Sequence, residues 1–131
     1  MDLGDTYNLS IGQGYVLVTP LQLAVSFMPI ANGGTLYQPR MVKAIVDKNR
    51  EIVEEFKPEI KGEVEIDKNY LEVVREGMRD AVRYGSSVFL SDLPVKTAAK
   101  TGTAQISGTK DLFHNWVVVF APYDKPQIVL T

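Results

Sequence analysis

The chain has 131 residues, 14 of them basic and 16 acidic for a net charge of −2, with one histidine and no cysteine. That length allows one domain or a piece of one. The composition excludes disulfides, cysteine-based metal sites and histidine clusters. It also argues against the concentrated basic surface that nucleic acid or an anionic membrane face would need.

In chain order, Gly12-Gln13-Gly14 reads as a loop with a permissive backbone, and the residues alone give no physical role for Gln13. The first helix is expected over Thr19–Ala31. Thr19 is a good N-cap, Pro20 suits the first helical position and Gln22 completes a capping box. Leu21, Ala24, Val25 and Met28 follow at helical spacing and predict a buried stripe. Pro29 should kink or shorten the helix, and Asn32-Gly33-Gly34 should stop it. The helix reads as scaffold. Met41 to Val46, a turn at Asp47–Arg50 and Glu51 to Phe56 predict a charged, largely solvated hairpin.

Asp67 is the expected N-cap of a second helix, Lys68 to about Tyr84, closed by Gly85. Leu71, Val74, Met78, Ala81 and Val82 are its predicted apolar side, while Arg75, Arg79 and Arg83 read as a solvated stripe. Gly77 costs about 1 kcal/mol against Ala in a helix, which suggests close packing there. A loop from Ser86 to Pro94 follows. Val95–Gln105 and Asn115–Ala121 then predict a β-hairpin turning at Ser107-Gly108. A third strand, Gln127–Thr131, should pair beside it after the short turn Pro122 to Pro126. The fold class is therefore a mixed α/β (α+β) domain, an antiparallel sheet with packed helices. No repeat, low-complexity tract, signal peptide or membrane-spanning stretch is visible.

The chemistry concentrates in Lys100-Thr101-Gly102-Thr103, on the first strand of the hairpin. Lys100 can raise the positive potential over a neighbouring nucleophile and attract a carboxylate. The hydroxyls of Thr101 and Thr103 can donate to that carboxylate. Gly102 lets a substrate approach the backbone, and the N–H of Thr103 can serve as one arm of an oxyanion hole. The competing reading is a solvated edge strand with a surface lysine. A P-loop is excluded because Ala99, not a glycine, stands directly before Lys100 where the Gly-Lys-Thr order is required. The lone His114 leaves no Ser-His-Asp triad except through itself, and it reads more simply as a strand-start residue. No metal and no cofactor are expected.

Taken together, Gly12-Gln13-Gly14, Thr19-Pro20-Leu21-Gln22-Leu23-Ala24, Ala31-Asn32-Gly33-Gly34 and the Lys100 motif occur in an order that resembles class B penicillin-binding proteins. The likeness is greatest to the elongation-type group typified by penicillin-binding protein 2. His114-Asn115-Trp116 and Phe120-Ala121-Pro122 resemble the strand that follows, so the likeness covers nearly the whole chain. Val119 departs from it, since the family often has glycine there. The resemblance implies part of a β-lactamase/transpeptidase-like fold. It implies a serine D,D-transpeptidase of cell-wall synthesis that cross-links peptidoglycan stem peptides, binds penicillin and is anchored at the outer face of the bacterial cytoplasmic membrane. Lys100 is then the catalytic residue, with Thr101, Gly102 and Thr103 binding substrate.

The resemblance implies two further motifs, a Ser-x-x-Lys that holds the nucleophile and a Ser-x-Asn after it, and neither stands ahead of Lys100. No asparagine has a serine two positions before it, and the single Ser-x-x-Lys, Ser107-Gly108-Thr109-Lys110, follows the Lys100 motif and sits in a turn without helical pattern. The chain is therefore expected to be the later part of a transpeptidase domain. Its nucleophile would lie upstream, the closing helix would be missing, and the piece alone would be inactive. The near-continuous apolar runs at Trp116–Phe120 and Ile128–Leu130 predict strands covered on both faces. Without the covering helices the chain should self-associate through that face, exchange strands or be partly disordered when dilute. Two alternatives are a serine β-lactamase or β-lactam sensor domain, and a non-catalytic interaction or structural module that kept the strand.

Overall fold

The computed structural model describes residues 2–106 and 111–131. The expected hairpin turn at Ser107-Gly108 and the Ser107 motif lie outside the described residues. Three helices surround three small antiparallel sheets: α1 Leu3–Ser10, α2 Pro20–Asn32 and α3 Lys68–Arg83. The strands are β1 Thr35–Tyr37, β2 Ala44–Val46, β3 Ile52–Glu55, β4 Ile60–Glu63, β5 Ala98–Gln105, β6 Phe113–Ala121 and β7 Ile128–Leu130. β1 pairs with β4 and β2 with β3, while β5, β6 and β7 form one sheet in that order. The mixed class, the β2–β3 hairpin and the β5–β6–β7 meander follow the expected pattern.

Helix α2 begins as its sequence dictates. The Gln22 N–H donates to Thr19 Oγ1, the Thr19 N–H donates to Gln22 Oε1, and Pro20 occupies the first turn. Pro29 does not shorten it. The helix runs three residues further to Asn32, and Gly33 closes it with its N–H on the Pro29 carbonyl. The expected stripe is met in part, with Ala24, Val25 and Met28 half-buried. Leu21 is exposed, and Pro29 and Ala31 are the buried positions. The inward face is shifted because α2 meets the sheet through its C-terminal half. Ala31 joins Met78, Ala98 and Phe120 in the core, with Phe27, Ile30, Tyr123 and Val129 packed against them.

Helix α3 departs further from expectation. Its buried side is Leu71, Arg75, Met78 and Val82, and Val74 is exposed. The arginine stripe is not solvated: Arg75 is buried, and Arg79 donates to the Thr97 carbonyl at 2.8 Å. Only Arg83, paired with Asp80, stays on the surface. Arg75 Nη1 donates to the Ala31 carbonyl, and Nη2 donates to the Tyr123 carbonyl at 2.8 Å. Its Nε lies 3.1 Å from Glu72 Oε2, close enough to pair in charge but not aligned as a hydrogen bond. The last carbonyls of a helix lack partners within it and carry the negative end of its dipole. Arg75 supplies both donors and charge at the end of α2, which is why a cation stands among apolar residues. Gly77 does not mark close packing either, since a Cβ there would meet nothing within 4 Å.

Three features are absent from the sequence-based reading, the first being the pairing of β1 with β4. Helix α1 is capped by a reciprocal Asp2–Asp5 box. The loop after α3 contains a single 3-10 turn, Val88–Leu90.

Candidate active-site strand and groove

β5 is the edge of its sheet, so one side of its backbone has no strand beside it. The pairing alternates along the strand. Tyr123 N–H donates to the Lys96 carbonyl and Ile106 N–H to that of Leu112, so even-numbered residues face β6. Odd-numbered residues therefore turn their N–H and C=O groups to the open edge. Arg79 meets that edge at Thr97 and Gln13 meets it at Thr103 and Gln105. The stretch between, Thr101 to the Thr103 N–H, is where the expected site lies.

The side chains divide between the two faces. Lys100, Gly102 and Ala104 stand opposite Val118, Trp116 and His114 of β6. Together they floor a groove of about 660 Å³, walled by Leu23 and Phe27 of α2 and by Leu9, Ile11 and Val16 to Val18. A Cβ at Gly102 would sit 3.7 Å from Trp116 Cβ, an ordinary contact, so neighbour packing does not demand the missing side chain. What glycine preserves is the open floor of the groove. Lys100 is exposed and its Nζ donates to the Thr101 carbonyl. The hydroxyls of Thr101 and Ser86 lie 3.0 Å apart, which holds Thr101 against the loop after α3. Thr103 is exposed.

The four expected residues are thus together, on one edge and beside one groove. A cation, two hydroxyls and an edge N–H within four residues can receive a carboxylate and, along the same edge, an extended peptide. His114 lines the groove opposite Ala104.

Gln13 is the residue whose role the sequence does not disclose. Gly12 and Gly14 on either side have φ of 76° and 93°, a region that side chains with a Cβ avoid. This double reversal turns Gln13 inward. Its Nε2 donates to the Thr103 carbonyl at 2.9 Å, and its Oε1 accepts from the Gln105 N–H at 3.2 Å. The Gly-x-Gly spacing is a signal for a sharp turn, but nothing in it names a partner 90 residues away.

Comparison with known proteins gives the family. Residues 4–131 match the family described as penicillin binding protein transpeptidase domain. Penicillin-binding protein 2A of Bacillus subtilis (strain 168) is 34% identical over 98% of this chain and 20% of its own length. The peptidoglycan D,D-transpeptidase MrdA of Escherichia coli (strain K12) is 28% identical over 97% of this chain and 22% of its own. Among solved structures, penicillin-binding protein A of M. tuberculosis, an imipenem acyl-enzyme complex, superposes with a TM-score of 0.78 at 28% identity. It covers 93% of this chain, which in turn covers 27% of it. The chain spans about a fifth of the length of the curated relatives it matches. With the motifs in order, the strand at the edge of its sheet and the match running from residue 4 to the last residue, the chain belongs to the transpeptidase-domain family of penicillin-binding proteins, in its class B branch.

Proposed function

We propose that this chain forms the strand side of a peptidoglycan D,D-transpeptidase site and belongs to a longer protein that supplies the nucleophilic serine. In that reaction the serine oxygen attacks the carbonyl of the D-Ala-D-Ala bond. The terminal D-Ala leaves with a proton, and an acyl-enzyme remains. The amine of a second stem peptide then attacks the ester, forms the cross-link and returns the proton to the serine. Penicillin acylates the same serine. Lys100 is the catalytic cation beside the nucleophile. Thr101 and Thr103 hold the substrate carboxylate, Gly102 admits the substrate backbone, and the Thr103 N–H stabilises the oxyanion. The observation that carries this reading is the open edge from Thr101 to Thr103 beside the groove floored by Gly102 and Trp116.

The whole protein would act on the cell wall from the outer face of the cytoplasmic membrane, with a role in cell shape. Among the described residues no helix is long and apolar enough to cross a membrane. Alone, the chain would be inactive and would self-associate.

Labelled penicillin tests the reading. The full-length protein should acquire one penicilloyl group, and Lys100→Ala should slow acylation by about 10²–10³-fold, the usual cost of one such donor. The 131-residue chain alone should acquire none. A stoichiometric adduct on that chain, lost in Ser107→Ala, would overturn the assignment of the nucleophile to the rest of the protein.

A further inference from the structure

Gln13 takes the place of a neighbouring strand on the open edge of β5. A strand in that position would offer one donor and one acceptor to the outward groups of Thr103 and Gln105. The Gln13 amide offers the same two atoms, Nε2 to the Thr103 carbonyl and Oε1 to the Gln105 N–H. Its own backbone is held in turn. The Gln13 N–H donates to the Asn8 carbonyl at 2.9 Å and the Gly12 N–H to the Leu9 carbonyl at 2.9 Å, so the side chain projects from an anchored turn at the end of α1.

The clamp stops at a particular point. It fixes the peptide plane that carries the Thr103 carbonyl and the one that carries the Gln105 N–H. The preceding plane, which carries the Thr103 N–H, is the first that it leaves open. β6 holds each of these planes on its inner side through the even-numbered residue, so on an edge strand the second, outer restraint comes from such local bonds. We propose that Gln13 is a positioning residue, which aims the Thr103 N–H at the oxyanion by pinning the two peptide planes that follow it. The inference rests on the transpeptidase reading of the site and deepens it. It also accounts for both flanking glycines, because the side chain reaches the strand only through the reversal at Gly12 and Gly14.

The test compares acylation of the full-length protein by labelled penicillin in the wild type, Gln13→Met and Gln13→Glu. Methionine keeps the length and loses both bonds, and should slow acylation by about 10–100-fold, the scale of a misplaced catalytic geometry. Glutamate separates positioning from simple filling. At about pH 8 it is a carboxylate without a donor, facing the Thr103 carbonyl, and should be slow. Towards about pH 5 it begins to protonate and regains a donor beside an acceptor, so its rate relative to wild type should recover. A structural filler would give a ratio flat with pH. If Gln13→Met fails to fold, the pH dependence of Gln13→Glu carries the test alone. Wild type and Gln13→Met acylated within twofold of each other, or a flat Gln13→Glu ratio, would overturn the role of Gln13 only. A wild-type protein that takes no penicillin overturns the transpeptidase reading, and this role falls with it.

Discussion

The guanidinium carbon of Arg75 lies 5.3 Å from the centre of the Phe120 ring. Phe120 is fully buried, and the Tyr123 ring stands at the same distance from the cation. The arginine therefore joins three elements: the end of α2 through the Ala31 carbonyl, the sheet through Phe120, and the turn after β6 through Tyr123. Removing it leaves buried carbonyls without donors. Arg75→Met, which keeps the apolar stem, should destabilise the chain by about 3 kcal/mol. Arg75→Lys should recover little, because one ammonium cannot reproduce a planar fork that reaches carbonyls on two elements. Urea unfolding midpoints measure both. A shift for Arg75→Met within about 0.5 kcal/mol, the range of an ordinary surface change, would contradict this.

Gly77 gives the opposite prediction. It sits inside α3 on an exposed side, and a Cβ there would meet nothing within 4 Å. Gly77→Ala should stabilise the chain by about 0.5–1 kcal/mol, by restricting the unfolded backbone and improving helix propensity. A lower thermal midpoint in the alanine variant would mean that the position makes a contact the fold does not reveal.

These two residues also mark where sequence reasoning succeeds and fails. The starts of α2 and α3, the Asp47 turn and the order β5–β6–β7 are legible because each depends on residues close in sequence. Thr19 finds Gln22 three residues on, and Asp47 accepts from the N–H groups of Asn49 and Glu51. The composition of the candidate strand, Lys100 to Thr103, is legible for the same reason. Arg75 is not, because its carbonyl partners lie 44 and 48 residues away, and charge alone argues for solvent. Gly77 misleads because a glycine within a helix suggests a close neighbour that this fold does not supply. Gln13 is recognisable within a Gly-x-Gly turn, yet its meaning depends on a strand 90 residues further on.

Tyr123 predicts an alkaline limit. Burial, followed by the nearby Glu72 carboxylate, pushes its phenol above the usual value. Its folded pKa therefore exceeds the unfolded one, near 10. Below that value both states hold the proton and stability is unaffected. Above it the unfolded state gives up the proton first, binds fewer protons than the folded state, and stability falls as pH rises. Tyr123→Phe should flatten this decline. Melting temperatures of the two proteins from pH 9 to 11 are the measurement, on the scale of the ordinary tyrosine pKa of about 10. Parallel curves would show that the phenol does not contribute.

The last prediction concerns association. One face of the main sheet packs on α2 and α3 through Ala98 and Phe120. On the other face Val119 is paired with Leu130, and Leu130 is 57% exposed. Away from the sheet, Tyr15 is 81% exposed and Leu17, which lines the groove, is 91% exposed. Apolar surface of that extent rarely stays uncovered on a soluble monomer. In a longer protein other segments would cover it. In the 131-residue chain alone, copies should cover one another. Sedimentation at micromolar concentration should show dimers or larger species, and Leu130→Lys should shift them towards monomer by placing a charge in the contact. A wild-type chain that sediments as a well-folded monomer would mean that the exposed face is tolerated in water, and the association argument would fail.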